Sequence, residues 1–165
     1  MHRLLLLALV LAACARGSVP ADAAPAGADG AAPEDTLRGT VRITGSEPAV
    51  TYVVEDASGR QTALDGDPAV LVRLNGLEVA FGGEARGTAP FRVTRTEVRA
   101  VEGVPAVDGV LARDDGRDVL LARDGTRHVI ARLPAGLRGA AGSRVWLAGP
   151  LDGDIDSFGI IVDRR

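Results

Sequence analysis

The chain has 165 residues and a formal net charge of −3, with 46% apolar residues, one cysteine and no lysine. This length is enough for one ordinary domain or two small ones. The slight acidity argues against a nucleic-acid partner, and a single cysteine excludes an intrachain disulfide, so stability must come from an apolar core and from hydrogen bonding.

The first fourteen residues have the layout of an export signal. Arg3 supplies a positive start, and residues 4–13 form an apolar run about half as long as the roughly 20 residues of a membrane-spanning helix. Ala12 and Ala13 are small and leave the backbone before Cys14 accessible to a peptidase. Two other interpretations stay open: an N-terminal helix with an incidental cysteine, and a cleaved signal without a lipid.

The tetrad Leu11-Ala12-Ala13-Cys14 resembles the lipobox of bacterial lipoproteins. In that family the signal is removed before the cysteine, which then carries a diacylglyceryl group on sulfur and usually an acyl chain such as palmitate on its amino group. The resemblance implies a signal peptide at 1–13 and a membrane anchor at Cys14, for which more than one chain is needed. Because Ala15 is not the Asp that retains some members in the inner membrane, it also implies an outer-membrane location facing the periplasm.

Residues 14–36 are predicted to be the lipidated cysteine and a disordered linker. They are rich in Ala, Pro, Gly and Asp and have no apolar period, so they have little to bury. A flexible chain of this length spans roughly 25 Å. We therefore expect the linker to lift the folded part clear of a membrane surface.

From residue 37 onward the sequence has the two-residue period of half-buried strands. The first half is predicted to contain strands at 37–44, 50–56, 61–64, 77–81 and 91–101. Asp67 and Pro68 are suited to the N-cap and first position of a short helix, which Asn75-Gly76 ends. Gly82-Gly83 is expected to end the fourth strand.

The second half is predicted to repeat this plan, which indicates an internal duplication. Two triplets of glycine share spacings of 17 and 7 residues: Gly59, Gly76, Gly83 and Gly125, Gly142, Gly149. One loose turn at 134–142 replaces the helix. The strands of this half are predicted at 107–112, 118–122, 127–133, 144–148 and 157–162.

The order strand-strand-strand-helix-strand-strand is that of the OB-fold, a small Greek-key barrel. The residues that carry this resemblance are Gly39-Thr40-Val41, Tyr52–Asp56 with Gly59, Leu71-x-x-Leu74-x-Gly76-x-x-Val79 and the run 142–149. They are similar to uncharacterised periplasmic OB-like domains of bacteria, found singly or in tandem. The resemblance implies an all-β fold with two tandem five-stranded barrels, residues 37–103 and 104–165. The alternative is a single antiparallel β-sandwich.

An acidic turn is a weak candidate for a metal site. Alternating carboxylates at Asp152, Asp154 and Asp156 suit Ca²⁺, but Ser157 stands where an EF-hand loop needs Gly, which favours a solvated hairpin turn. His128 has no cysteine or second histidine to share a metal after signal cleavage. We therefore expect no metal and no cofactor.

Trp146 is predicted to point outward, because its neighbours Val145 and Leu147 match inward positions of the first half. A large exposed aromatic side chain needs cover. Packing between the two predicted barrels is the first explanation, a partner-binding patch with Arg144 the second, and a different strand register the third. Stacking on nucleic acid is disfavoured, because single-strand readers line a basic groove with several aromatics.

The sequence contains neither Gly-x-Ser-x-Gly nor a phosphate-binding glycine-rich loop. We therefore expect a non-enzymatic protein of the cell envelope, lipid-anchored to a membrane, that binds or scaffolds an unknown envelope protein. The alternatives are a small-ligand or glycan binder and, more remotely, a divergent hydrolase. No nucleic-acid partner is expected.

Overall fold

Alternating apolar residues form ten β-strands in the computed structural model, which describes residues 34–164. The predicted signal peptide, Cys14 and the linker as far as residue 33 lie outside the described residues. The strands are β1 (Asp35–Thr44), β2 (Thr51–Glu55), β3 (Gln61–Asp65), β4 (Leu77–Arg86), β5 (Ala89–Val101), β6 (Val104–Asp114), β7 (Arg117–Ala122), β8 (Arg127–Val129), β9 (Arg144–Ala148) and β10 (Ser157–Val162).

The predicted short helix is present between β3 and β4. Helix α1 (Pro68–Leu71) begins with Pro68, and the carboxylate of Asp67 caps it by accepting a hydrogen bond from the backbone N–H of Ala69 at 2.9 Å. A 3₁₀ turn (Val72–Leu74) continues α1, and the chain then turns at Gly76 with φ +82°. The N-cap, the first position and the glycine stop are thus confirmed.

The first five strands, the first half of the fold, close upon themselves. β1 pairs with β2 and β4, β2 also pairs with β3, and β4 also pairs with β5. A short parallel pairing of β3 with β5, Leu64 opposite Phe91, completes the circuit. Every strand of this half therefore has two partners within it.

The second half, β6 to β10, has the same pairing order without closure. β6 pairs with β7 and β9, β7 with β8, and β9 with β10. No pairing among residues 34–164 joins β8 to β10, because the chain after β8 bonds elsewhere: the N–H of Ala131 donates to the carbonyl of Leu151 at 2.9 Å. The all-β class is confirmed, whereas a second closed barrel is not formed by these pairings.

Two glycines allow the first strand of each half to change partners. β1 pairs with β4 up to Thr40 and with β2 from Thr40 onward. A Cβ atom on Gly39 would overlap the carbonyl oxygen of Glu55, and one on Gly109 in β6 would overlap that of Leu121. Glycine is therefore required at both positions because another backbone comes within contact distance.

Several strand boundaries differ from the sequence prediction; β6, for example, spans Val104–Asp114 rather than 107–112. Gly82-Gly83 does not end β4, which continues to Arg86 through a register shift against β5. Both glycines are buried, and a Cβ on Gly83 would overlap the carbonyl oxygen of Arg92; they permit close approach inside the strand. β8 ends at Val129 rather than 133, and β1 begins at Asp35 within the predicted linker.

Equivalent main-chain hydrogen bonds recur in the two halves. The N–H of Gly76 donates to the carbonyl of Val41 at 2.9 Å, and that of Gly142 donates to the carbonyl of Leu111 at 2.7 Å. The turn between β2 and β3 and the turn between β7 and β8 also carry the same pair of hydrogen bonds. These contacts agree with the repeated glycine spacing of the sequence.

Two clusters of buried apolar residues lie on opposite faces of the β9–β10 pair. The first cluster consists of Val41, Val54, Leu64, Leu71, Leu74, Leu77, Val79, Phe81, Phe91, Val98 and Ile161. The second cluster consists of Leu111, Leu120, Ile130, Leu137, Ala140, Val145 and Leu147. Val145 and Leu147 are fully buried in the second cluster, which confirms their predicted inward positions. Trp146 and Ile161 come from the second half but pack with the first cluster, around Phe81. Trp146 is thus partly buried against a cluster that comes mostly from the other half of the protein.

Candidate functional site

An open cleft of about 480 Å³ lies where the two halves meet. We call it the seam cleft; it is bounded by β5, β6, the turn between β7 and β8, and β8 itself. Small apolar residues form part of its wall, and the rest is charged or polar: Arg95, Glu97, Arg99, Asp108, Arg123, Asp124 and His128.

Strand alternation places the charged residues of β5 in the seam cleft. Arg95, Glu97 and Arg99 occupy alternate positions of β5, and the intervening Thr96 and Val98 are buried. The guanidinium of Arg99 donates to the Glu97 carboxylate at 2.8 Å, with both side chains largely exposed. This ion pair is a solvated feature of the rim and contributes little stability.

A buried ion pair of the second half forms hydrogen bonds to the first half at the base of the seam cleft. Asp108 of β6, whose side chain is 2% exposed, accepts hydrogen bonds from Arg144 of β9 at 2.6 Å and from the backbone N–H of Val98 at 2.8 Å. The same guanidinium donates to the carbonyl and hydroxyl oxygens of Thr96 at 2.6 and 2.9 Å. Two residues of each half thus meet in one fully paired network.

The turn between β7 and β8 supplies the opposite wall. The Asp124 carboxylate accepts from the backbone N–H of Thr126 at 2.8 Å. That backbone bond and the Thr126 hydroxyl hold the pKa of Asp124 below its usual value, and the charge of His128 adds a smaller contribution. Asp124 is therefore an anion at neutral pH. Arg123, beside it, is exposed and makes no side-chain hydrogen bond or ion pair within residues 34–164.

The structure places both members of the predicted interaction patch in the contact between halves. Arg144 and Trp146 are alternate residues of β9 and share one face of the sheet. The guanidinium of Arg144 is engaged by Asp108 and Thr96, and Trp146 packs with the first cluster. A Cβ on Gly159 of β10 would lie 2.7 Å from the indole nitrogen of Trp146, so the ring sits directly on that glycine.

The acidic turn does not assemble a calcium site. Within residues 34–164, no group of three His, Cys, Asp or Glu side chains is placed to hold a metal ion. Asp154 instead forms an ion pair with Arg132 across the turn, while Ile155 packs with the second cluster. The turn therefore leaves three exposed residues, Asp152, Asp154 and Asp156, while the side chain of Ile155 packs inward.

The charged residues of β5 were not recognised from the sequence as site residues. The run 94–99 contains a pattern that could have identified them. Arginine and glutamate alternate there with threonine and valine, which are typical strand residues. Such a run ordinarily indicates a solvated face. This run lies beside Arg123 because of the way the second half packs against the first. The periodicity of the strands contains no information about that packing.

A second open cleft, of about 630 Å³, surrounds the turn between β2 and β3. Its charged side chains have partners within the protein: Arg38 pairs with Glu78, Asp56 pairs with Arg60, and Glu55 accepts a hydrogen bond from the side-chain amide of Gln61 at 3.1 Å. The carboxylate of Asp56 also accepts from the hydroxyl of Ser58 at 2.6 Å. Because these partners are already satisfied, this cleft offers less to a ligand than the seam cleft does.

The Ser58 hydroxyl, with backbone bonds from Ser58 and Arg60, lowers the pKa of Asp56 from 3.8 to about 2. The folded pKa lies below the unfolded one, so the stabilising effect is present above 3.8 and is lost as the pH falls through about 2. We expect a ¹³C NMR titration of the Asp56 carboxyl to have its midpoint near pH 2. Ser58→Ala should raise that midpoint, whereas Ser46→Ala, in another turn, should leave it in place; equal midpoints in all three proteins would contradict this explanation.

Comparison with protein-family models, with curated proteins and with solved structures finds no match for this chain. In the part of the chain that the structure describes, no helix has the length and apolar character needed to cross a membrane. The role of the seam cleft is therefore inferred from its own side chains.

Proposed function

We propose that this chain is a lipoprotein of the bacterial cell envelope that acts as a non-enzymatic binding or scaffolding module. The support for its location is the lipobox resemblance at Leu11-Ala12-Ala13-Cys14. The sequence between Cys14 and β1 has the composition of a tether. By the same resemblance, the anchor lies in the outer membrane and the folded part faces the periplasm.

We propose further that the folded part consists of two OB-like units, residues 37–103 and 104–165. The closed pairing circuit of the first half supports the first unit. The same pairing order, the partner-changing glycine and the equivalent hydrogen bonds support the second, which is open between β8 and β10. Duplication followed by loss of closure accounts for both observations.

The observation that carries the binding role is the seam cleft with its unpaired arginine. Both halves contribute charged side chains to it, and Arg123 has no partner in the described part of the chain. An exposed guanidinium without a partner keeps all its donors available to another molecule. The base of the cleft is held by the Asp108–Arg144 pair, so the site is built on fixed strands.

A small-ligand or glycan binder is the second candidate function. The volume of the seam cleft, about 480 Å³, lies within the range of small-molecule sites. Its carboxylates and guanidinium groups match the hydroxyl groups of a carbohydrate as acceptors and donors. The two candidates differ in the size of the bound molecule.

A photo-crosslinking amino acid placed at Arg123 in the intact envelope tests the binding role. We expect a specific adduct that is absent when the same amino acid replaces Arg117, an exposed arginine of β7 outside the cleft. A protein adduct would support the scaffolding function, and a carbohydrate or other small adduct the second candidate. Identical adducts at the two positions, or none at either, would contradict a binding role for the cleft.

Replacing Cys14 with Ser is expected to abolish the anchor. A serine cannot form the thioether that carries the diacylglyceryl group, so the precursor should stay uncleaved and lose its acyl label. Metabolic labelling with a radioactive fatty acid and mass spectrometry of the N-terminus measure both effects. Ala15→Ser, one residue later, is the matched control and should be cleaved and labelled. An unmodified thiol on an intact N-terminus of the unaltered protein would overturn the proposed location.

A further inference from the structure

A smaller hollow of about 170 Å³ adjoins the seam cleft. We call it the arginine hollow, because three guanidinium-bearing residues line it: Arg95, Arg123 and Arg144. Arg95 and Arg123 also line the seam cleft, so the two concavities share a boundary. The hollow has room for a group of a few non-hydrogen atoms, and the cleft has room for the remainder of a larger molecule.

Three guanidinium groups line the arginine hollow, whereas one carboxylate, that of Asp67, lines it. Arg144 is compensated by Asp108, and Arg95 by Glu34 at 2.8 Å. The acidic residue of the lining, Asp67, is committed to capping α1. Arg123 remains uncompensated by any side chain of the described residues. Arg123 is therefore the guanidinium of this lining whose donors stay open to an anionic group.

Two of the residues that line the hollow, Thr94 and Arg95, already hold a carboxylate of the protein. Glu34, next to β1, places one carboxylate oxygen 2.5 Å from the hydroxyl of Thr94 and the other 2.8 Å from the guanidinium of Arg95. Gly82 makes room for it, because a Cβ there would come within 2.5 Å of the carboxylate. One arginine and one threonine of β5 thus hold an anionic group at the rim.

We propose that the arginine hollow and the seam cleft together bind a small ligand that carries a phosphate or carboxylate group on a hydroxylated body such as a sugar. Arg123 donates to the anionic group, for which a planar guanidinium is well suited. Glu97, Asp124 and His128 face the hydroxyl groups of the body. The Glu34 carboxylate competes with the ligand for Arg95, the neighbouring guanidinium of the hollow. This inference rests on the proposed binding role and specifies its ligand class.

Isothermal titration of the lipidated full-length protein in detergent micelles tests the inference with three related probes: glucose 6-phosphate, glucuronate and glucose. We expect at least one of the two anionic probes to bind and neutral glucose to give no signal. Arg123→Gln should weaken that binding by about tenfold or more, since a hydrogen bond to a charged group is worth about 1.5–3 kcal/mol. Arg117→Gln is the matched control and should leave the affinity unchanged.

Two further variants make the outcome decisive. Glu34→Gln should strengthen binding of the anionic probe, because it removes the competing carboxylate without shortening the side chain. Arg123→Lys keeps the charge but loses the planar fork, so its affinity should lie between those of the parent protein and Arg123→Gln. Thermal unfolding curves that coincide with the parent curve show that the variants are folded.

Three results would overturn the inference: no binding of either anion, equal binding of glucose, or equal losses in Arg123→Gln and Arg117→Gln. The crosslinking experiment distinguishes a failure of this inference from a failure of the proposed binding function. If the anions do not bind but a crosslink specific to position 123 forms in the envelope, the cleft binds a ligand of another class. If the anions do not bind and no crosslink specific to position 123 forms, both the proposed binding role and the proposed ligand class are wrong.

Discussion

Replacing Asp108 with Ala is expected to lower the free energy of unfolding by about 3 kcal/mol or more, because breaking a buried ion pair leaves the other charge without compensation. The Asp108 side chain is 2% exposed, and it accepts from both Arg144 and the backbone N–H of Val98. The variant loses both acceptor contacts at once. The guanidinium of Arg144, 18% exposed, would stay between the halves without its carboxylate.

Urea denaturation of the single and double variants measures the interaction energy of the Asp108–Arg144 pair separately from the effect of each substitution on its other contacts. Arg144→Met should destabilise through the unpaired carboxylate, and the double variant Asp108→Ala/Arg144→Met should lose less than the sum of the two single losses. Glu97→Ala breaks a comparable but exposed ion pair in the same cleft and should change stability by less than about 1 kcal/mol. If Asp108→Ala proved as harmless as Glu97→Ala, the network would not be what joins the halves.

Replacing Gly39 with Ala is expected to destabilise the fold by about 1–3 kcal/mol, the usual cost of forcing extra atoms into a packed site. The added methyl group would overlap the carbonyl oxygen of Glu55, a backbone atom that cannot rotate away. β1 would have to move from β2 at the residue where it exchanges one partner for the other. Gly109→Ala should behave in the same way, since its methyl group would overlap the carbonyl oxygen of Leu121.

Gly153→Ala is the matched control for both glycine variants. A Cβ at Gly153 would lie 3.5 Å from the nearest atom, on Pro150, which is an ordinary contact, and the backbone there is not in the left-handed region. Thermal or urea unfolding should therefore find Gly153→Ala close to the parent protein. Equal stability of all three variants would mean that the partner change does not require glycine.

Local features of this fold could be predicted from the sequence, because each depends on a few neighbouring residues. Alternation of apolar and polar residues located the strands, and β9 and β10 match their predicted bounds at both ends. The Asp67-Pro68 start and the Gly76 stop of the helix depend on backbone chemistry within one turn.

Features that depend on distant contacts could not be predicted in this way. Gly82-Gly83 was interpreted as a strand end because nothing local reveals that the Arg92 carbonyl approaches it. The open edge of the second half depends on Ala131 bonding to Leu151 rather than to a strand. The seam cleft depends on Arg123 meeting β5, and Glu34 was assigned to the linker although its carboxylate is held by Thr94 and Arg95.

The place of Ile161 in the first cluster has a consequence for the order of events during synthesis. A ribosome delivers residues from the N-terminus, and domains generally fold as units while the chain emerges. Here the closed circuit of β1 to β5 is complete by Val101, yet its apolar interior includes a residue sixty positions later in the chain. The first half thus stays unfinished until residue 161 has been made, and a nonsense mutation shortly before that codon would injure the part of the protein made first.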